Sequence, residues 1–357
     1  MHQTKTPLEN ISAKSWEHPA DRAALSALEK VPGLDFLIKK MVGATTEKSI
    51  RLANLASSVR TSERQFAKVH HLHREACRIL DIESVPELYV SQNPFLNAGA
   101  IGVEDPFIVL NSSMVETLSD DEILAVIGHE LGHCMSGHML YKTLLQVLLS
   151  LSSGLLRVPI GGVAIVPILL ALKEWDRKSE LSADRAGLLV TQDPMTNYSL
   201  LMKLAGGASH AQMDINEFFL QAAEYKDLDG FSDNVHKLLN VMTMTHPFPV
   251  LRLTELKTWV DAGEYERILS GEYVSLGERE DPIENMKSAA HQYREDIEAA
   301  KGPLAQLAAG LFDGADSLGR RAGDLSGDLK DRAGDLTDDL KGKAGDVWSA
   351  IFDEEKA

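Results

Sequence analysis

The residues best suited to do chemistry are His129-Glu130-Leu131-Gly132-His133. Two histidines four apart point to one face of a helix and can chelate a single Zn2+ through their imidazole nitrogens. A glutamate directly after the first histidine can act as general base toward a water at the metal, the arrangement zinc-assisted hydrolysis needs. Such a motif requires a buried helix, and the flanks supply one. Ser119-Asp120-Asp121-Glu122 reads as a capping box, with carboxylates in the first turn and Glu122 at N3. Ile123 to Ile127 continues it as an apolar helical run.

A catalytic zinc site needs a third protein ligand and one open position. His138 follows His133 by five residues, about 140° further round a helix. It is also off the spacing of the His-rich extended motif, so it reads as structural or supporting. A carboxylate from another helix is the better candidate. Glu180 and Asp184 stand four apart, among Ser182, Ala183, Ala186 and Gly187, small residues that would let their helix pack closely on the His129–His133 helix. Glu180 could then ligate while Asp184 accepts the distal N–H of a ligand histidine. A charged solvent-facing helix would give the same letters.

The elements around these residues change character along the chain. The stretch Ala20 to Lys40 carries Leu25, Leu28, Val31 and Leu34 near helical spacing, broken at Pro32-Gly33. Residues 46–80 read as one long amphipathic helix or two. Glu87–Ser91 and Pro106–Leu110 are strand-like, and the glycines of Asn97–Gly102 suggest a bent strand between them. A small antiparallel sheet of about three strands is expected. Helices return at Ser119 and dominate to about residue 300. The fold class is α+β, mainly α: a helical domain with the small sheet (46–275), which the resemblance described below implies is a gluzincin-type metallopeptidase domain, a helical extension before it (1–45), and a terminal helix and repeat tail (276–357).

Two segments stand apart. Residues 143–172 are apolar all round, split at Arg157–Gly162, and each half is shorter than the roughly 20 residues a membrane span needs. Three readings compete: a buried helical hairpin, a hairpin in or on a membrane, and a substrate-contacting surface. The tail repeats every eleven residues, close to three helical turns. Ala322, Leu325, Leu329, Ala333, Leu336 and Leu340 fall on one stripe of it. Its repeated glycines each cost about 1 kcal/mol relative to alanine in a helix. The tail is therefore expected either to fold on a surface, as eleven-residue amphipathic repeats of lipid-surface proteins do, or to stay a solvated acidic segment. Residues 143–172 and 310–351 are the candidates for membrane-surface contact.

Composition narrows the partners. The chain has 357 residues and a formal net charge of −17, with no basic patch to favour nucleic acid. Its two cysteines, Cys77 and Cys134, do not make a disulfide scaffold, and a reducing compartment fits them best. The first 21 residues lack an apolar run of the secretory type. The expected location is the cytoplasm or the cytoplasmic face of a membrane.

Four separated motifs resemble, in order, those of the HtpX-like and CAAX-prenyl-protease-like family of zinc endopeptidases, over roughly residues 85 to 260. They are Asn97-Ala98, His129-Glu130-x-x-His133, Arg177-x-x-Glu180-x-x-Ala183-Asp184, and His246-Pro247 with Arg252 five residues beyond the proline. The resemblance implies that His129, His133 and Glu180 hold one zinc ion, with Glu130 as base and Asp184 supporting a ligand. It implies that His246 and Arg252 stabilise the oxyanion and hold substrate, and that Asn97-Ala98 lies on the edge strand that pairs with the substrate backbone. Cations near the metal can offset the charge of a tetrahedral intermediate. An exposed strand edge binds extended peptides with little sequence dependence. The chain departs from membrane members in having no long N-terminal transmembrane helices, and its N-terminal region, with His18-Pro19-Ala20-Asp21 and Pro32-Gly33-Leu34, looks like that of soluble bacterial members. Residues 143–172 fall where those members insert a hydrophobic hairpin.

The expected activity is metal-assisted hydrolysis of peptide bonds in proteins, in quality control or in processing. The rival is a non-proteolytic membrane-surface or stress-protective protein with a vestigial site. The complete ligand set argues against the rival, since a decayed site usually loses a member.

Overall fold

The computed structural model describes residues 5–277 apart from 32, 43, 151–164, 208 and 228–247. They lie in one compact unit, Met1–Ala300; the other, Lys301–Ala357, is outside the described residues, as is the expected repeat tail.

Three helices come first: α1 (Pro19–Leu28), α2 (Leu34–Met41) and α3 (Ala44–Ser57). Strand β1 (Ser58–Arg60) precedes α4 (Ala67–Ile79). Then come β2 (Glu87–Ser91), β3 (Ala98–Ile101), β4 (Phe107–Asn111) and the short α5 (Ser112–Thr117). The centre of the domain is α6 (Asp120–Met135), followed by α7 (Met139–Ser150) and α8 (Ile165–Thr191). Helices α9 (Pro194–Gly206), α10 (Ile215–Asp227), α11 (Pro249–Asp261) and α12 (Glu264–Leu269) complete it.

The sheet differs from the expected three antiparallel strands. Among the described residues it has four, in the order β1-β2-β4-β3, and β2 pairs with β4 in parallel. Alternating apolar residues mark a strand but carry nothing about its partner's direction. Parallel neighbours need a crossover of a dozen or more residues, and the segment between Ser91 and Phe107 provides one, with β3 inside it. Over 46–80, where one amphipathic helix or two were expected, there are two, α3 and α4, with the unexpected strand β1 between them. Its residues pair with Ser91, Val90 and Tyr89, so tertiary pairing overrides a local pattern that Val59 fitted.

Helix α6 begins as its sequence dictates. The Ser119 hydroxyl accepts from the Glu122 N–H, and the Glu122 carboxylate accepts from the Ser119 N–H. It packs against α8 along a seam of small residues. A Cβ on Gly132 would lie 2.6 Å from the Cβ of Ala186, and one on Gly187 would lie 2.8 Å from the Ala125 carbonyl oxygen. Only glycine permits this approach, as the small residues around Glu180 suggested.

The apolar stretch 143–172 is described only at its flanks. Leu144, Leu145 and Leu148 of α7 and Ile168 and Leu172 of α8 are buried in a second core with α1 and α2 residues such as Leu28 and Leu37. Helix α8 runs without a break from this stretch into the Glu180 motif. No helix among the described residues is long and apolar enough to cross a membrane. The N-terminal stretch also joins the main core, through Leu8, Ile11 and Trp16.

Candidate active site

The structure brings His129, His133 and Glu180 together. Each presents one ligand atom, and all three atoms lie within 4.8 Å of one another. His129 Nε2 is 3.3 Å from Glu180 Oε2, and His133 Nε2 is 3.1 Å from Glu180 Oε1. All three residues are buried. The first two sit one turn apart on α6, and the third is carried up against them by the close α6–α8 seam. Two imidazole nitrogens and one carboxylate oxygen, converging from one side, suit Zn2+ and leave the side toward the cleft for a fourth ligand.

Asp184 lies where its four-residue spacing from Glu180 suggested. Its Oδ1 is 3.0 Å from His129 Nδ1, and Arg252 donates from Nε to its Oδ2 at 2.8 Å. Arg252 Nη1 also reaches within 3.6 Å of Glu180 Oε2. Burial works against the Asp184 charge, but the Arg252 guanidinium and His129 outweigh it and hold the carboxyl below its usual range. Burial likewise opposes a charge on His129, yet Glu180 and Asp184 push its pKa up to about 9. A site that attracts a proton this strongly is set up for positive charge, which a divalent cation would supply.

The predicted substrate edge is close by. Strand β3 is one of the two outer strands and, among the described residues, pairs in the sheet with β4 alone, Ala98 opposite Leu110. Asn97, Ala98, Glu130 and Glu180 line two clefts that flank the candidate metal site. One, of 420 Å³, is walled by Leu96, Met114, Val126, Leu200 and Leu204, with Arg252 at its base. The other, of 160 Å³, carries Lys142, Lys173, Asp176 and Arg177. Glu130 is buried between them. His246, expected beside Arg252, is outside the described residues.

Two groups escaped the sequence reading. Lys142 donates to Glu180 Oε1 at 2.8 Å and to Asp176 Oδ1 at 2.7 Å. Its signal was its position as the lone charge in the apolar α7, which helical periodicity does not explain. Asp21 of α1 meets His138; its signal was the His18-Pro19-Ala20-Asp21 run that resembles soluble bacterial members, to which no role at the site was given.

A helix bearing His-Glu-x-x-His, crossed by a carboxylate helix beside an open strand edge, defines a zinc metallopeptidase. The comparisons agree. The profile of Peptidase family M48 matches residues 63–260. The plastoglobule-localized metallopeptidase 48 of Arabidopsis chloroplasts is 37% identical over 268 residues, covering 73% of this chain and 76% of that protein. Protease HtpX homolog 2 of Methanosarcina mazei is 24% identical over 227 residues, 55% of this chain and 74% of that one. No solved structure matches. The chain belongs to peptidase family M48, and it is a zinc-dependent metalloprotease.

Proposed function

We propose that the chain is an endopeptidase that cleaves extended polypeptide laid along β3, with His129, His133 and Glu180 as the zinc ligands and Glu130 as the general base. The observation that carries this is the convergence of the three ligand atoms within 4.8 Å beside an outer strand. Zinc, when bound, supplies the Lewis acidity that brings a water's pKa near 7 and polarises a carbonyl. The chain's own residues do the rest. The edge of β3, with Asn97 and Ala98 at its start, holds the substrate backbone by β-augmentation. Glu130 takes a proton from the attacking water and returns it to the leaving amine. Asp184 keeps the His129 ring oriented, with its Nε2 toward the metal. Arg252 and His246 stabilise negative charge on the scissile carbonyl oxygen. The apolar cleft favours a bulky apolar substrate side chain on one side of the cut.

Glu130→Gln tests this reading. The variant should retain zinc and lose cleavage of an unfolded test protein by at least a hundredfold; undiminished turnover would remove Glu130 from the mechanism.

In this reading 46–275 is the peptidase domain, 1–45 its helical extension and 276–357 an accessory tail. A role in protein quality control or processing follows from a substrate site that grips backbone rather than sequence. Peripheral attachment to a surface, through 143–172 or 310–351, parallels the name of the Arabidopsis thaliana relative, which records plastoglobule localisation. Flotation with liposomes should be weakened in a chain truncated after Gly302. Equal flotation would leave 143–172 as the anchor, and no flotation of either chain would remove the membrane reading.

A further inference from the structure

The candidate ligands are held from behind by two different devices. His129 leans on Asp184 and Arg252. His133 leans on His138, whose Nδ1 is 3.0 Å from His133 Nδ1. The other nitrogen of His138, Nε2, is 3.0 Å from Asp21 Oδ2. We infer that Asp21 and His138 form a positioning pair for His133, so that the N-terminal helix α1 completes the support of the metal site. This rests on His133 being a zinc ligand.

The contacts determine every donor. If His133 binds metal through Nε2, that nitrogen offers its lone pair and Nδ1 carries the hydrogen. His133 Nδ1–H then donates to His138 Nδ1. The hydrogen of His138 must be on Nε2, where it donates to the Asp21 carboxylate. Each ring has one tautomer that satisfies both neighbours. A carboxylate behind a ligand imidazole fixes its orientation and raises its basicity, and here an interposed histidine relays the effect.

The chain is built to keep this arrangement. Helix α6 ends at Met135, and Gly137 adopts φ +70°. The His138 N–H donates back to the His133 carbonyl at 3.1 Å, the closing bond of a glycine-ended helix. This reversal returns the His138 ring to His133, where a continued helix would have carried it away. The ring then lies edge-on to buried Trp175, with centroids 5.5 Å apart. Asp21 and His138 are each 1% exposed, and a buried carboxylate is tolerated only with partners. Asp21 has a second one: Ser182 of α8 donates to its Oδ2 at 2.6 Å, while the Ser182 oxygen accepts from the His18 N–H at 2.9 Å.

The experiment measures zinc affinity by chelator competition, thermal unfolding of the zinc-free protein, and the visible spectrum of the cobalt-substituted form. Asp21→Asn and His138→Phe should each weaken zinc binding about 10- to 100-fold. The double variant should bind no more weakly than His138→Phe alone, because the two act in series. His138→Gln keeps an acceptor for His133 and a donor for Asp21, and should recover most of the loss. Asp21→Asn should also shift the cobalt spectrum, which reports ligand geometry. Ser182→Ala cuts the tie between α1 and α8 but spares the His138–Asp21 contact. It should lower the unfolding temperature with zinc affinity kept within about twofold. Wild-type affinity in Asp21→Asn and His138→Phe, with zinc lost in His133→Ala, would overturn the pair and leave the ligand assignment standing. Wild-type affinity in His133→Ala would instead overturn the ligand assignment itself. Equal affinity losses in Asp21→Asn and Ser182→Ala, in step with unfolding temperature, would reduce Asp21 to a helix tie.

Discussion

Asp184 shows how much of a metal site is carried by residues that need not touch the metal. Its Oδ1 faces His129 and both of its oxygens accept from Arg252, so a single carboxylate orients a proposed ligand and neutralises a buried guanidinium. Buried histidines without such partners behave differently. His73 of α4 is buried, and its Nε2 has no hydrogen-bond partner among the described residues. Burial, reinforced by His70 and Arg74, pushes its pKa down to about 4 from the ordinary 6.5. Between those values the unfolded chain takes up a proton that the folded chain refuses, so stability falls as pH drops from 6.5 toward 4. At pH 5 the loss is about 2 kcal/mol. Urea unfolding at pH 7.5 and pH 5 should therefore show a pH dependence smaller by about that amount in His73→Leu than in the parent. An unchanged pH dependence would mean that His73 is protonated in the folded protein.

Among the elements, the α6–α8 pair decides whether a site exists at all. Neither helix holds all three proposed ligands; their distance does the assembling. Gly132 and Ala186 meet at the closest point of the seam, one residue from His133 and six from Glu180. Gly132→Ala should force the helices apart, costing about 1–3 kcal/mol of stability and weakening zinc binding with it. Gly99→Ala is the matching control, because a Cβ at that position meets nothing within 4 Å. Thermal unfolding and zinc titration of both variants would check the contrast. A Gly132→Ala protein as stable and as zinc-avid as Gly99→Ala would contradict the close seam.

For the molecule as a whole, zinc should act as a clamp between α6 and α8. A ligand that binds only the folded state adds about 2.7 kcal/mol at a hundred times its dissociation constant. For a domain of this size that corresponds to a shift of about 5–10 °C in Tm. Calorimetry should show the drop on chelation and its reversal by added zinc, with His133→Ala insensitive to both. A chelator-insensitive wild-type Tm would show that the fold stands without the clamp.

Much of this was legible in local patterns. The capping box at Ser119, the apolar run behind it and the small residues around Glu180 are short-range signals, and each appears as read. The errors arose where distant partners intervened. Val59 suits a helical stripe or a strand equally well, and β2 decided which. The direction of β4 depended on the course of the chain between Ser91 and Phe107, which periodicity does not encode. His138 was read as structural or supporting from the angle of an ideal helix; the local reason it reaches His133 is different, since Gly137 ends that helix and reverses the ring's direction.

The amino-acid sequence alone marked the candidate chemistry: two histidines on one helical face with a glutamate beside the first, and a carboxylate pair on another helix, because i, i+4 spacing is a property of the helix itself. Only the tertiary structure decided what stands behind the proposed ligands. Asp21 lies 112 residues before His133, and Arg252 lies 68 residues after Asp184. Contacts at that range come from how helices pack, and packing depends on the shape of the whole core rather than on any spacing along the chain.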